Sequence, residues 1–422
     1  MLTGHSNPHV VILGGGFGGL EAAFYLRRLL GDAVRLTLIS DQDRFLFKPN
    51  TIYIPFGLDP ERLMIPLSVP AARKEISLLI GPVRDVDPER QRVHLDGREV
   101  EYDYLVVATG AGMRPEEIPG LAEHAHTIWT PEEMLRLRAG IGRLVEAARE
   151  GRHQEVLFLV PPNNKCSGPL YELVFMLDVW LRRQGVRSAV NITYTTYERG
   201  FIQAFGPRLH TVVLAEFRHR DILGHTEYVV DHVEPGRVFY KNGEVLPYDL
   251  LISFPPYVAA ARFSSLPADD RGFIQTELQT RRVKGHPNIY AVGDAADFPV
   301  KQAFLALLQA DAAAHHLAAQ VTGREPEALF EPTSMCVMEQ LDKATFAQVP
   351  LALTGRPELP VEVRSDALGQ YKVGTSRAWR LGKALLGLYL PWRFRNGEPF
   401  HAGAPWKAME VGLKAMSAVL AR

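Results

Sequence analysis

The sequence predicts an α/β protein made of two nested units of parallel sheet and helix, followed by a basic tail, and three observations predict it. A buried-strand run, His9 to Leu13, empties into the glycine cluster Gly14-Gly15-Gly16-Phe17-Gly18-Gly19. About 140 residues later the strand-loop-helix plan returns, as Glu155 to Val160 followed by Pro161 to Glu172. Two polar turns that lead into apolar strands, Glu101 to Ala111 and Pro247 to Pro255, stand where each unit would hand the chain to the other.

In the first unit, residues 10–14 and 35–40 read as buried parallel strands flanking a helix from about Gly19 to Leu30. Glycines at that turn let backbone N–H groups approach an anion at the positive end of the helix, which suits a dinucleotide pyrophosphate. The cofactor set expected there is Gly14, Gly16, Phe17, Gly18 and Gly19. Ribose hydroxyls in such units are held about 20 residues past the last glycine, which points to Ser40 and Asp41. The bland reading of Asp41 is a turn cap. Ala108, Thr109 and Gly110, at the end of the exit strand, complete this wall.

The second unit keeps the plan and loses the glycines. Pro161, Pro162, Asn163 and Asn164 cannot give the close backbone approach a second pyrophosphate needs, so no nicotinamide cofactor is expected. Cys166 stands there instead. Pro169 favours a helix starting beside it, over roughly 169–183, and a helix N-terminus next to Lys165 is expected to lower the thiol's pKa. The competing reading, a buried structural cysteine, is outweighed by the polar loop. Cys336, in the apolar run Pro332 to Glu339, would alone be read as core.

The chain then returns to the first unit through His286 to Asp297, where Gly293 and Asp294 form an acidic turn suited to the ribityl chain of FAD. A helix over 303–320 follows, with its positive end near Lys301 and Gln302. A glycine loop, Ala108-Thr109-Gly110 and Gly293-Asp294, in this order and at these separations, point together to FAD.

Composition is that of a globular protein: 422 residues, 46% hydrophobic and 23% charged. The net charge of −1 hides a split, because residues 370–422 carry nine Lys and Arg against Glu398 and Glu410, a net of +7 that leaves −8 for the remainder. In that tail Trp406, Met409, Leu413, Met416 and Leu420 recur at helical spacing, with Lys407, Lys414 and Arg422 placed to reach lipid headgroups. The aromatic residues Trp379, Tyr389, Trp392, Phe394 and Phe400 add to a membrane-surface reading, against the alternative of a helix packed on its own domain. No run of some 18 apolar residues exists and the N-terminus lacks a cleavable signal pattern, so a peripheral protein on the cytoplasmic face is expected. Two cysteines give no disulfide scaffold, and His315 and His316, adjacent on a helix, give no metal set. Nothing suggests nucleic-acid binding.

On the glycine loop, Ile39 to Asp41 with Phe45, Phe47 and Pro49, the Tyr102 to Gly110 segment, Lys165 to Glu172, Cys336 and Tyr389 to Gly397, the chain resembles the sulfide:quinone oxidoreductases over nearly its whole length. That resemblance implies two Rossmann-like domains, with 1–114 and 285–328 binding FAD, 115–284 carrying Cys166, and 329–422 forming a membrane-associating region. It implies that Cys166 and Cys336 are a redox pair beside the flavin, Cys336 facing it and Cys166 carrying sulfur. It adds Pro49 and Val83 to the cofactor contacts and places a quinone near Met335, Tyr389, Trp392 and Phe394. Hydrosulfide, a membrane quinone and a lipid surface are the implied partners, with homo-oligomer formation left open. Two positions depart from the pattern. Trp129 stands near a third cysteine that in some members holds the flavin covalently, so FAD is expected without a covalent link. The lysine near the quinone is matched by Leu388. Glu172 is either a proton handler or a solvated helix residue. The alternatives are a type II NAD(P)H:quinone oxidoreductase and a low-turnover membrane-associated flavin redox sensor.

Overall fold

The computed structural model describes residues 7–421, so Arg422, assigned above to the tail's basic face, lies outside the described residues. The first sheet has five parallel strands in the order Ile289–Ala291, Tyr104–Val107, His9–Leu13, Arg35–Ser40, Ser77–Ile80. Val10, Val11, Ile12 and Leu13 are fully buried, the pattern of a central strand covered on both faces. Helix α1 (Phe17–Leu30) begins two residues before the expected Gly19. Gly14 has φ +106°, and a β-carbon on it would overlap the Ala108 carbonyl, while one on Gly19 would overlap the Gly14 carbonyl. The loop is therefore pressed against its own sheet and leaves only the Gly16 side open, where a β-carbon would meet nothing within 4 Å.

The second sheet repeats that order, as His126–Thr127, Leu250–Ser253, Gln154–Val160, Val190–Thr196, Ile222–His225, again all parallel. Helix α2 (Gly168–Arg183) follows the Cys166 loop. The two connections between the sheets meet as an antiparallel pair, Ala111–Met113 with Tyr257–Ala259.

Past the return strand, helix α3 (Ala303–Thr322) lies along α1. An antiparallel sheet follows, in which Ala344–Arg356 pairs with Thr333–Glu339, Leu359–Val363 and Lys372–Ser376. Helices α4 (Arg377–Arg395) and α5 (Gly403–Leu420) end the chain. The turn between them is hooked to the first unit: the Phe400 N–H donates to both Glu21 carboxylate oxygens at 2.8 and 2.7 Å, and His401 Nδ1 lies 2.5 Å from Asp311.

The tail corrects one expectation. On the α5 face formed by Trp406, Met409, Leu413, Met416 and Leu420, every residue but Met409 packs half-buried on the protein's own core. Leu413, Met416 and Leu420 pack on a small core of Phe346 and Trp379, whose rings stack at 4.1 Å, and Trp406 packs on Phe400 at 4.9 Å. Helical spacing identifies an apolar face, but what covers it is decided by tertiary packing. A second, exposed apolar stripe lies on α4, where Leu381, Leu385, Leu388 and Trp392 are 64, 55, 71 and 50% exposed at three- and four-residue intervals, and α5 exposes Val411 and Val419.

Candidate active site

The start of α3 draws the two cysteines together. The Lys301 N–H donates to the Lys165 carbonyl at 3.1 Å, and the next side chain, Gln302 Nε2, donates to the Met335 carbonyl at 3.0 Å. Consecutive residues thus hold the neighbours of Cys166 and Cys336. Ser334 Oγ donates to Gln302 Oε1 at 2.8 Å and fixes the amide. Both cysteines are free thiols, partly buried against the same core.

Burial pushes the Cys166 thiol well up, and the Cys336 sulfur and Asp294 push it further, while the Gly168 N–H at the head of α2 pulls it down. This overturns the expectation of a lowered pKa. The helix N-terminus acts in the expected sense and is outweighed by desolvation. Burial lowers the pKa of Lys165 itself, with Asp269 opposing and Arg271 adding to the fall, so it contributes less positive charge than the sequence suggests. Cys336 is pushed up to about 12 by burial, with Glu172 adding to the rise and Lys383 opposing it.

Glu172 is only 6% exposed, which removes the solvated-helix reading. Its Oε1 accepts the Glu339 N–H at 2.7 Å and pairs with the Lys383 ammonium. Burial raises its pKa and Lys383 restrains the rise. The side chain of Glu339 in turn accepts from Tyr53 Oη at 2.7 Å and from Arg380 Nε at 2.9 Å. Sequence reasoning missed Lys383. It noted only that Leu388, which is exposed, stands where a lysine is expected, whereas Lys383 on α4 is buried and its charge acts on Cys336. The signal was available: Trp379, Lys383, Leu386 and Leu390 mark one helix face, and Lys383 lies on it.

The Cys166 loop is tied to the residues that follow the strand Leu250–Ser253. Asn164 Nδ2 donates to the Phe254 carbonyl at 2.8 Å, its Oδ1 accepts the Cys166 N–H at 3.0 Å, and the Tyr257 N–H donates to the Asn163 carbonyl at 3.0 Å. In the first unit the corresponding glycine loop stays open at Gly16.

The residues of the first unit fit FAD. Ser40 Oγ would lie 2.9 Å from a Gly15 β-carbon, which puts the hydroxyl on the glycine loop, and Asp41 beside it is exposed. Thr109 Oγ1 is buried without a hydrogen-bond partner, a polar atom that a ligand would satisfy. Val83 begins the strand that leaves Gly81, whose N–H bonds the Ser40 carbonyl at 2.8 Å. Gly293 has φ +66°, and Asp294 next to it is raised by burial and restrained by Lys301 and Lys48. Lys301, 3% exposed, lies 3.8 Å above the Phe273 ring, and burial takes it down to about 7. Pro49 is in the turn Lys48–Phe56, and Phe17 packs on Phe45 at 4.9 Å.

The quinone residues scatter. Phe394 is fully buried among Phe17, Phe24 and Phe45, which makes it a packing anchor of α4. Tyr389 is half-buried, Trp392 is exposed on the α4 stripe, and Met335 packs on the Phe346–Trp379 core. Among the described residues, no helix is long and apolar enough to cross a membrane.

Two parallel sheets of one strand order make up an α/β fold of the flavin-dependent disulphide-oxidoreductase type, and residues 8–146 match the family described as pyridine nucleotide-disulphide oxidoreductase. Within that class the matches place the chain among the relatives of sulfide:quinone oxidoreductases. It is 25% identical over 71% of its length, and 68% of the other's, to the mouse mitochondrial sulfide:quinone oxidoreductase. It is 28% identical over 69% of both chains to the sulfide-quinone reductase of Aquifex aeolicus. The crystal structure of the Aquifex aeolicus sulfide:quinone oxidoreductase shares the fold at a TM-score of 0.83, covering 96% of each chain at 24% identity. A type II NADH:quinone oxidoreductase of Mycobacterium tuberculosis is 26% identical over 69% of the chain and 66% of its own.

Proposed function

We propose that this protein oxidises hydrosulfide to sulfane sulfur and passes the two electrons to a quinone at a lipid surface. The observation that carries this reading is that Lys301 and Gln302, consecutive at the head of α3, bond the residues preceding Cys166 and Cys336. In its oxidised form the pair is a disulfide. Hydrosulfide attacks one sulfur, a new S–S bond forms as the old one breaks, and the products are a persulfide on one cysteine and a thiolate on the other. Cys166 carries the sulfur and Cys336 the thiolate, by the resemblance. Once the outer sulfur has left Cys166 for a nucleophile, the two cysteines would re-form their disulfide, and the electron pair released as that S–S bond forms would go to bound FAD, the two-electron carrier to the quinone.

The chain's own residues set up each part. The first turn of α3 places positive potential beside the cysteines. The Glu172–Lys383 pair holds or takes a proton next to Cys336, and burial excludes water. Leu381, Leu385, Leu388 and Trp392, flanked by Arg377, Arg380 and Arg395, suit insertion of α4 into a lipid surface. The absence of glycines from the Cys166 loop speaks against the NAD(P)H-dependent alternative.

Anaerobic hydrosulfide is expected to bleach the flavin of the wild type, and Cys166→Ser to slow bleaching at least a hundredfold, whereas NADH leaves the flavin oxidised. Unchanged bleaching in the variant would defeat the cysteine route. Rapid bleaching by NADH would favour the type II reading, and inertness to both the sensor.

A further inference from the structure

The second unit keeps an acidic residue at the position that serves a ribose in a dinucleotide-binding unit. There the acid follows the second strand, and here the strand Val190–Thr196 leads to Tyr197 and Glu198. Glu198 is turned onto its own chain. Its carboxylate accepts Thr196 Oγ1 at 2.9 Å and the Gln203 N–H at 3.0 Å, and the Ser167 hydroxyl adds a hydrogen bond that favours the charge. All three donors are neutral. The ionisable side chains that feel Glu198 are Tyr171 of α2 and Tyr194 and Tyr197 beside it, each held up by burial and so uncharged at neutral pH. The neighbouring Arg199 and Glu227 are exposed, and His210, on the helix Gly206–His219, spends Nδ1 on the Phe201 N–H at 2.9 Å.

Tyr197 and Glu198 hold the two flanks of Cys166. On one side Tyr197 Oη donates to the Asn164 carbonyl at 3.4 Å, and Asn164 Oδ1 accepts the Cys166 N–H at 3.0 Å. On the other side Ser167 follows Cys166 at the head of α2. A serine in that place ordinarily caps its helix through the hydroxyl, and Ser167 makes no such bond. Its hydroxyl goes to Glu198 instead. The Gly168 N–H, one residue further on, bonds the Cys166 sulfur, so a shift of Ser167 is passed to the sulfur from both sides of the peptide chain that carries it.

We propose that Glu198 is the positioning residue of the Cys166 loop, and that through Ser167 it fixes the sulfur for exchange with hydrosulfide. This rests on the function proposed above and names the residue that sets the geometry of its sulfur-carrying cysteine. A hydroxyl bond to a carboxylate is about twice as strong as one to a neutral acceptor, so the anchor is firm only while Glu198 is ionised. Burial pushes Glu198 up to about 7, against the pull of its three donors. The carboxylate is therefore complete above that pH, and the anchor weakens as pH falls through it.

The test uses FAD-loaded protein and its Glu198→Gln and Ser167→Ala variants. Glutamine keeps the shape and an acceptor but cannot ionise, and Ser167→Ala leaves Glu198 in place and breaks the link from its other end. The limiting rate of flavin bleaching by hydrosulfide is compared at each pH, so that the protonation of hydrosulfide itself cancels. The wild type is expected to exceed Glu198→Gln about fivefold at pH 8, the difference between a charge-assisted and a neutral hydrogen bond, and to match it at pH 6. Half-saturation should stay the same, because the anchor does not touch the substrate. Iodoacetamide labelling of the reduced protein, read by peptide mass spectrometry, gives a second measurement that needs no turnover. With Cys336 as the reference in the same molecule, labelling of Cys166 at pH 8 should rise about fivefold in both variants as the loop loosens. An unchanged Cys166 to Cys336 labelling ratio in both variants would overturn the proposal, and so would a ratio of wild-type to Glu198→Gln rates that stays level between pH 6 and 8. A wild type that hydrosulfide does not bleach would defeat the functional reading alone, and the labelling ratio would still decide whether Glu198 positions Cys166.

Discussion

Replacing Lys383 with methionine isolates the buried pair beside Cys336. Glu172 and Lys383 are 8 and 10% exposed in their side chains, so neither is screened as a surface pair would be. Two unit charges roughly 4 Å apart attract by about 4 kcal/mol at an effective dielectric near 20. Removing one partner of a buried pair costs about 3–5 kcal/mol, because the other charge stays in low dielectric. Lys383→Met is therefore expected to lose about 3 kcal/mol or more of stability in urea unfolding at pH 7, read from tryptophan emission and flavin release. The double variant Glu172→Gln, Lys383→Met removes both charges, keeps an acceptor for the Glu339 N–H and should recover most of that loss. Lys383 also opposes the rise in the Cys336 pKa, so alkylation of the reduced thiol by iodoacetamide should slow in Lys383→Met by about tenfold per unit gained. The reasoning fails if Lys383→Met costs under about 1 kcal/mol, as an exposed pair would, or if the double variant is no more stable than the single.

Two further outcomes follow from other parts of the molecule. Leu385→Asp and Leu388→Asp, on the exposed α4 stripe, should each weaken cosedimentation with anionic vesicles by roughly tenfold or more, whereas Leu413→Asp, on the inward face of α5, should instead lower the melting temperature; vesicle binding unchanged in both α4 variants would remove the lipid assignment. At the hook between α1, α3 and the tail, burial holds Asp311 up to about 8 and raises Glu21, so the native state keeps a proton that the unfolded chain releases, and stability should fall as pH rises toward 8. His401, pushed down to about 4 by burial, acts in the opposite sense below its ordinary value of 6.5, and since Glu198 and Lys301 also titrate near 7, the Asp311 contribution is read as the difference between wild type and Asp311→Asn from pH 6.5 to 8. Thermal melts across that window should flatten in Asp311→Asn, and an unaltered slope would contradict the assignment.

What the sequence made legible is what local rules govern. The glycine loop, the return turn at Gly293 and Asp294 and the loss of glycines before Cys166 each follow from a backbone requirement that a few consecutive residues meet or fail. The architecture of two parallel sheets followed from apolar runs too short for helices and from the repeated exits. Three things were not legible because they depend on partners distant in the chain. The α5 stripe was correctly periodic, but only the position of Phe346 and Trp379 decides that it faces inward. Phe394 read as an aromatic at a membrane edge, and the Phe17, Phe24 and Phe45 rings make it core. Lys383 lay outside the aligned motif and becomes visible only when α4 packs over Glu172.

The reversed expectation for the Cys166 thiol bears on how such a site works. A helix N-terminus contributes up to about 2 kcal/mol toward a negative charge, whereas full burial shifts an ionisable group by up to about 3–5 pKa units, or roughly 4–7 kcal/mol. Desolvation therefore wins wherever the sulfur is buried, and a resting thiolate would be poorly stabilised here. A disulfide carries no charge to solvate, so the oxidised pair suits the dry site. Hydrosulfide brings its own charge, and exchange at the disulfide leaves that charge on a cysteine sulfur surrounded by apolar side chains. A thiolate formed in such a place is high in energy, and giving up its electron pair relieves the desolvation that burial imposed. The low polarity that makes the thiols sluggish toward outside reagents is thus what makes the thiolate released by exchange a strong electron donor.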